Sequence, residues 1–235
     1  MNRIEFRIIV LLLLFLLTGM HTVCSQDLRD LESWTSAEFR YMPAPRWRIG
    51  IEGQLRLDQN SSEVDAYFSE LTGGYEFFNN FWVIGGFRLI RKIDDEHEAR
   101  KHQNHIRLHL DAKYSYDLNR FNLNARFRYQ TRDELGVSNA QGDFADHYVR
   151  LKLGAGYNIR KWKLDPQVST EIFHHSEKNE EYGFNKFRVS VGTEYSFEKL
   201  GKLGLFYRYE HEINTEEPRT TDIIRIQYVY TLKNY

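Results

Sequence analysis

Phe121–Arg132 reads FNLNARFRYQTR. Phe121, Leu123, Ala125, Phe127 and Tyr129 share one parity. Asn122, Asn124, Arg126, Arg128, Gln130 and Arg132 share the other. Successive side chains of a β-strand point to opposite faces, so this stretch is a strand with one apolar and one cationic face. About ten alternating residues is the length of a tilted membrane-spanning strand, with apolar side chains to lipid and polar ones to a lumen.

The same pattern recurs along the chain. Trp47, Ile49, Ile51, Leu55 and Leu57 oppose Arg48, Glu52, Gln54, Arg56 and Asp58. Ile106, Leu108, Leu110, Ala112, Tyr114 and Tyr116 oppose His105, Arg107, His109, Asp111 and Lys113. Similar alternation covers Val64–Phe77, Val149–Asn158, Trp162–His175, Lys186–Phe197, Leu203–Glu212 and Ile224–Leu232. Phe81–Arg91 is apolar on parts of both faces. Pro166 falls on the apolar parity near the start of its strand, and a bulge or weakened pairing is expected there.

Connections alternate between short and long. The short ones are Met42–Arg46, Phe78–Asn80, Asp117–Arg120, Ile159–Lys161 and Glu198–Gly201. Longer, charged ones such as Lys92–Gln103 and Asp133–Phe144 lie between them. Outer-membrane barrels have short periplasmic turns and long external loops. The expected fold is therefore all-β: an antiparallel transmembrane up-and-down β-barrel of ten to twelve strands. About eleven strands are legible, although single-chain bacterial barrels have an even number. Either Gln26–Ser33 climbs through the lumen, or a further strand exists, or one has been divided.

Composition agrees with this class. The 235 residues include 15 Tyr and 16 Phe but 4 Pro, and the mean hydropathy is −0.60. A helical membrane protein needs apolar runs of about twenty residues. The longest here, Ile8–Leu17, is half that and follows Arg3 and Arg7, as in a signal peptide. Cleavage after Ser25 leaves a barrel domain at 26–235. It removes Arg3, Glu5 and Arg7, so the formal charge moves from −1 to −2. That balance offers no electrostatic basis for nucleic-acid binding. Lipid anchoring at Cys24 is the alternative, disfavoured by the bulk of Val23. Cleavage also takes Cys24, the single cysteine, and with it any thiol chemistry.

The secretory leader, the Trp34 strand and the signatures His105-Ile106-Arg107 and Arg126-Phe127-Arg128-Tyr129-Gln130 resemble the bacterial outer-membrane barrels grouped as domain of unknown function 2490. The resemblance spans Gln26–Tyr235. It implies a barrel in a Gram-negative outer membrane, inserted by the assembly machinery of that membrane, and no assigned activity or catalytic residues. The C-terminus departs from the usual barrel signal, since the apolar parity stops at Leu232, before Tyr235.

On this reading the inward face carries a charge network: Arg48, Glu52, Arg56, Glu70, Arg107, Asp111, Arg126, Arg128, Arg150, Arg188, Glu194, Arg208, Glu210 and Arg225. Small barrels are filled by their side chains, and buried charges need partners. A lumen plugged by paired charges is expected, with a structural, narrow-channel or small-solute role. Mixed signs argue against strong ion selectivity. Trp47, Tyr116, Phe121, Tyr157, Trp162 and Phe197 flank the short turns and are expected to form the periplasmic interface girdle.

Two other classes stay in view. An outer-membrane hydrolase would use His174, His175 and Ser176, or Asp146 with His147, or His211 with Glu210 and Glu212, though none forms a nucleophile motif. A soluble periplasmic binder would invert the barrel, apolar parity inward. A metal site from His97, His102, His105, Glu96 and Glu98 is less simple than a solvated loop. No catalytic residue, metal or cofactor is assigned.

Overall fold

Eleven strands close into one barrel in the computed structural model, which describes residues 28–94, 101–137, 145–160, 162–176 and 183–235. They are β1 Leu28–Met42, β2 Trp47–Asp58, β3 Glu63–Phe78, β4 Phe81–Asp94, β5 Lys101–Leu118, β6 Phe121–Glu134, β7 Asp146–Tyr157, β8 Leu164–Ser176, β9 Gly183–Phe197, β10 Gly201–Glu212 and β11 Arg219–Lys233. There is no helix among the described residues, and so none long and apolar enough to cross a membrane. The expected leader at 1–25, including Cys24, and the loop residues Glu96, His97 and Glu98 lie outside the described residues.

Ten of the eleven seams are antiparallel, as alternation between neighbours dictates. The eleventh is not. With an odd number of strands the first and last run the same way, and β1 pairs with β11 in parallel from Leu28↔Arg219 to Met42↔Lys233. This corrects the expectation of a wholly antiparallel barrel. It also resolves the entry of the chain: residues 28–33 belong to β1 beside β11 and do not climb through the lumen. Asp30 ties this seam to the neighbouring turn. Its carboxylate accepts the backbone N–H groups of Gln59 and Asn60, at 3.2 and 2.8 Å, and a guanidinium N–H of Arg219 at 3.1 Å.

The apolar parity faces outward and the polar parity inward. Leu110 and Ile51 are 55% and 57% exposed, whereas Asp111 is 1% exposed. Strand β4 follows the same rule despite its mixed pattern: Ile84 points inward and is buried, while Phe87 and Leu89 point out. The short turns use left-handed residues at Arg46, Asn80, Asn119 and Gly201. At Gly201 a Cβ would lie 2.3 Å from the Val229 carbonyl oxygen, so both the turn and the packing require glycine.

One connection differs from the sequence reading, and the pairing at Pro166 is weakened as expected, on one side only. Strands β4 and β5 extend into the charged segment as far as Asp94↔Lys101, so residues 92–94 and 101–103, expected as loop, are strand, and the rest of that stretch lies outside the described residues. Pro166 lies in register with Thr193 of β9, without a bulge, whereas the β7 ladder stops at Gln167. A proline removes one donor, and the edge toward β7 is where pairing ends. The β8–β9 bulge lies instead between Phe173 and His174.

Candidate functional site: a cationic lumen

The inward parity of every strand delivers its side chains to one enclosed space. They leave a cavity of about 430 Å³. Among the described residues, fifteen lysine and arginine side chains line it against eight carboxylates. For a chain of formal charge −1, this is a strong segregation of charge.

Part of the network is paired. Arg128 on β6 grips Asp111 on β5 through two hydrogen bonds, at 2.5 and 2.8 Å. Arg88 donates to Glu70 at 2.6 Å. Glu171 on β8 gathers three guanidinium groups, from Arg126 at 2.5 Å, Arg150 at 2.8 Å and Arg188 at 3.5 Å. Arg188 also donates to Glu210, which takes Lys186 at 3.2 Å. Glu194 accepts from the Gln227 amide at 2.9 Å rather than from an arginine.

The rest is not. Arg225 reaches Glu52 only at 3.8 Å. Arg48, Arg56, Arg107, Arg208 and Lys152 have no carboxylate within ion-pair distance among the described residues. The buried Nε–H groups of Arg48, Arg56, Arg107, Arg208 and Arg225 find no acceptor. The lumen is thus crowded and only partly paired, with an excess of cations that a strand-by-strand inventory of mixed signs understates.

Three inward aromatics organise the centre. Trp34, Phe68 and Phe173 are buried within the polar parity. The guanidinium carbon of Arg88 lies 3.6 Å from the Phe68 ring centroid, and that of Arg56 lies 3.9 Å from the Trp34 ring. Arg188 sits 5.2 Å from Trp34 and 5.0 Å from Phe173, and Arg150 sits 4.4 Å from Phe173. Cation–π contact partly offsets the loss of water from these arginines. Sequence reading passed over this belt because it treats aromatics as outward residues. The signal was present: Trp34 shares parity with Ser36, Glu38 and Arg40, Phe68 with Glu70, and Phe173 with Glu171. Glu171 is the hub that the inward network centres on.

The six aromatics expected beside the short turns lie at that rim, outward. Trp47, Tyr116, Phe121, Trp162 and Phe197 are 41–59% exposed, and the Tyr157 ring packs tilted against Phe121, 4.8 Å between centroids. Tyr75 and Phe77 join the same rim, linked to Trp47 through ring contacts of 4.9 and 5.1 Å.

The histidines divide. His174 faces outward against Phe184, 5.3 Å between ring centroids. His175 faces inward, its Nε2 at 3.1 Å from Asp146 Oδ1 and its ring over Tyr148. The two therefore point to opposite faces of the wall, and Ser176 has the parity of His174. His147 points outward to the Tyr129 hydroxyl at 3.0 Å, away from Asp146. His211 bonds Thr220 at 2.8 Å on the outer face, whereas Glu210 and Glu212 point in. His105 is buried in the lumen wall, and the described residues contain no cluster of metal-ligating side chains.

No curated protein and no solved structure matches the chain. One family model does, over residues 31–221, nearly the whole barrel. The chain belongs to the family described as Protein of unknown function (DUF2490).

Proposed function

We propose that this protein is a non-enzymatic barrel of the bacterial outer membrane, exported by its leader and inserted by the assembly machinery, whose lumen admits and holds small anions. The lumen cavity, with fifteen cations against eight carboxylates, carries this reading. Water and protein dipoles alone satisfy such an excess poorly, and an entering anion lowers the cost of the unpaired guanidinium groups.

The outward face supports the membrane setting. On β9, Phe187, Val189, Val191, Thr193, Tyr195 and Phe197 all point outward. They span ten residue steps, about 33 Å of strand at 3.3 Å per residue. At a tilt of about 40° that is roughly 25 Å of height, the thickness of an outer-membrane apolar band. A closed barrel leaves no unpaired strand edge to meet hydrocarbon. A soluble barrel with this facing would leave Leu71, Leu108, Leu110, Leu153, Val191 and Leu205, all at least half exposed, in contact with water.

The test is reconstitution of residues 26–235 into planar bilayers under a salt gradient, after heat-modifiable migration has been verified on a gel. Stepwise conductance with a reversal potential on the anion side is the expected result. A protein that stays soluble without detergent overturns the membrane assignment, and a cation-selective current overturns the lumen assignment.

A further inference from the structure

We propose that Lys152 on β7, Arg208 on β10 and Arg225 on β11 form a binding site for a tetrahedral oxyanion of the phosphate class. The proposal rests on the reading that the lumen receives anions, and adds the place and the ligand chemistry. These three cations line one cavity of about 160 Å³ in the short-turn half of the lumen, together with Asn124, Gln167 and Gln227.

Three observations point to a ligand here rather than to a structural network. Lys152 and Arg208 enter no ion pair among the described residues, and Arg225 has only the long 3.8 Å contact to Glu52. The Nε–H groups of Arg208 and Arg225 are buried without an acceptor, although Arg208 is only 8% exposed. A water needs roughly 10–15 Å³ of such space, so the cavity takes an oxyanion with part of its hydration shell.

The chemistry selects the class of anion. Two guanidinium forks and one ammonium suit an oxyanion with several acceptor oxygens, since arginine binds such groups bidentately and lysine as a point charge. Neutral donors complete the wall. Ser169 and Ser190 line the cavity, and the Asn124 amide lies over Gly154, where a Cβ would approach it to 2.5 Å. Three carboxylates lie close: Glu194 lines the cavity itself, Glu52 makes the long contact to Arg225, and Glu171 lies beside them. Glu194 accepts from Gln227, and Glu171 is held by Arg126, Arg150 and Arg188. The short-turn rim is mixed but net basic: cations such as Arg46, Arg160 and Lys202 outnumber the carboxylates of Glu76, Asp117, Asp165 and Glu198. Net charge of one sign at a mouth concentrates the opposite ion there.

The experiment is a titration of the full chain, purified in detergent, with inorganic phosphate at constant ionic strength, read by calorimetry and by ³¹P line broadening. Saturable binding is expected, competed by tetrahedral sulfate but not by planar nitrate. Lys152→Gln and Arg208→Gln should each weaken it at least tenfold, while Lys202→Gln at the rim should leave it within twofold. Should one lumen variant fail to show heat-modifiable migration, the other decides. Equal phosphate affinity in wild type and both lumen variants overturns the site, as does an absence of saturable binding in wild type. If wild type binds no phosphate yet conducts chloride over potassium, the site fails and the anionic lumen stands. If it prefers potassium, both fail.

Discussion

Arg128 on β6 donates to both carboxylate oxygens of Asp111 on β5, at 2.5 and 2.8 Å, and Asp111 is 1% exposed. The pair joins adjacent strands inside the barrel wall, and Lys113 adds a longer contact of 3.5 Å. Replacing Asp111 with Asn keeps the shape and removes the charge, leaving Arg128 buried beside Lys113 without its counterion. Breaking a buried pair from one side costs about 3–5 kcal/mol. The urea midpoint of Asp111→Asn, followed by heat-modifiable migration in detergent, should fall accordingly. An unchanged midpoint would mean that water already compensates Arg128.

The outward face yields a positional prediction. Leu110 lies mid-strand on β5 and is 55% exposed, whereas Tyr116 lies at the short-turn rim of the same strand. Arginine at the midplane of an outer-membrane barrel costs about 2–4 kcal/mol, and about 0–1 kcal/mol near an interface. Leu110→Arg should fold into lipid vesicles with a stability loss of that size, and Tyr116→Arg with little. Equal behaviour of the two variants would remove the basis for a lipid-facing band.

Inside, glycine makes room for a neighbour. At Gly86 on β4 a Cβ would sit 2.1 Å from the ring of His109 on β5, which is buried. Gly86→Ala should therefore displace the imidazole and cost about 1–3 kcal/mol, the usual range for overpacking. The informative measurement is the pair. Adding His109→Ala should return part of that loss, whereas additive losses would show that Gly86 serves the backbone rather than the ring.

The loop end of β2 carries a pH signal. Asp58 closes the strand beside the turn at 59–62, beyond the apolar band. Partial burial, then the Asp65 and Asp30 carboxylates, push its carboxyl above the ordinary range. A carboxyl raised on folding holds its proton more tightly in the folded state. Stability then falls as pH rises from the unfolded value through the folded one, and the loss persists above it. Asp58 is half-buried at the strand end, and solvent screens part of the effect. Asp58→Asn should raise the urea midpoint slightly at pH 7 and leave it unchanged at about pH 3, where both states are protonated. A rise of the same size at both pH values would assign the gain to something other than charge.

Much of this architecture is determined by local chemistry. Strict alternation over Phe121–Arg132 sets the strand and its two faces, because the pleat permits no other arrangement. Turn residues such as Asn80 and Asn119 mark where the chain reverses, since they tolerate left-handed backbone. The inward destination of Arg56, Asp111 and Glu210 and the rim position of Trp47 and Trp162 follow from parity and from distance to a turn. What parity leaves open is which strands meet across the lumen. The parallel seam of β1 and β11 joins residues almost two hundred positions apart. Glu171 meets Arg188 and Arg150 through pairing with its two neighbouring strands, reaches Arg126 two strands away, and Lys152 faces Arg208 and Arg225 only because closure curves the sheet. Those contacts depend on register, shear and the hand of the closed sheet, which no stretch of sequence contains by itself. Local alternation determined the wall of this barrel, and tertiary closure decided which of its charges are answered and which are left facing a cavity.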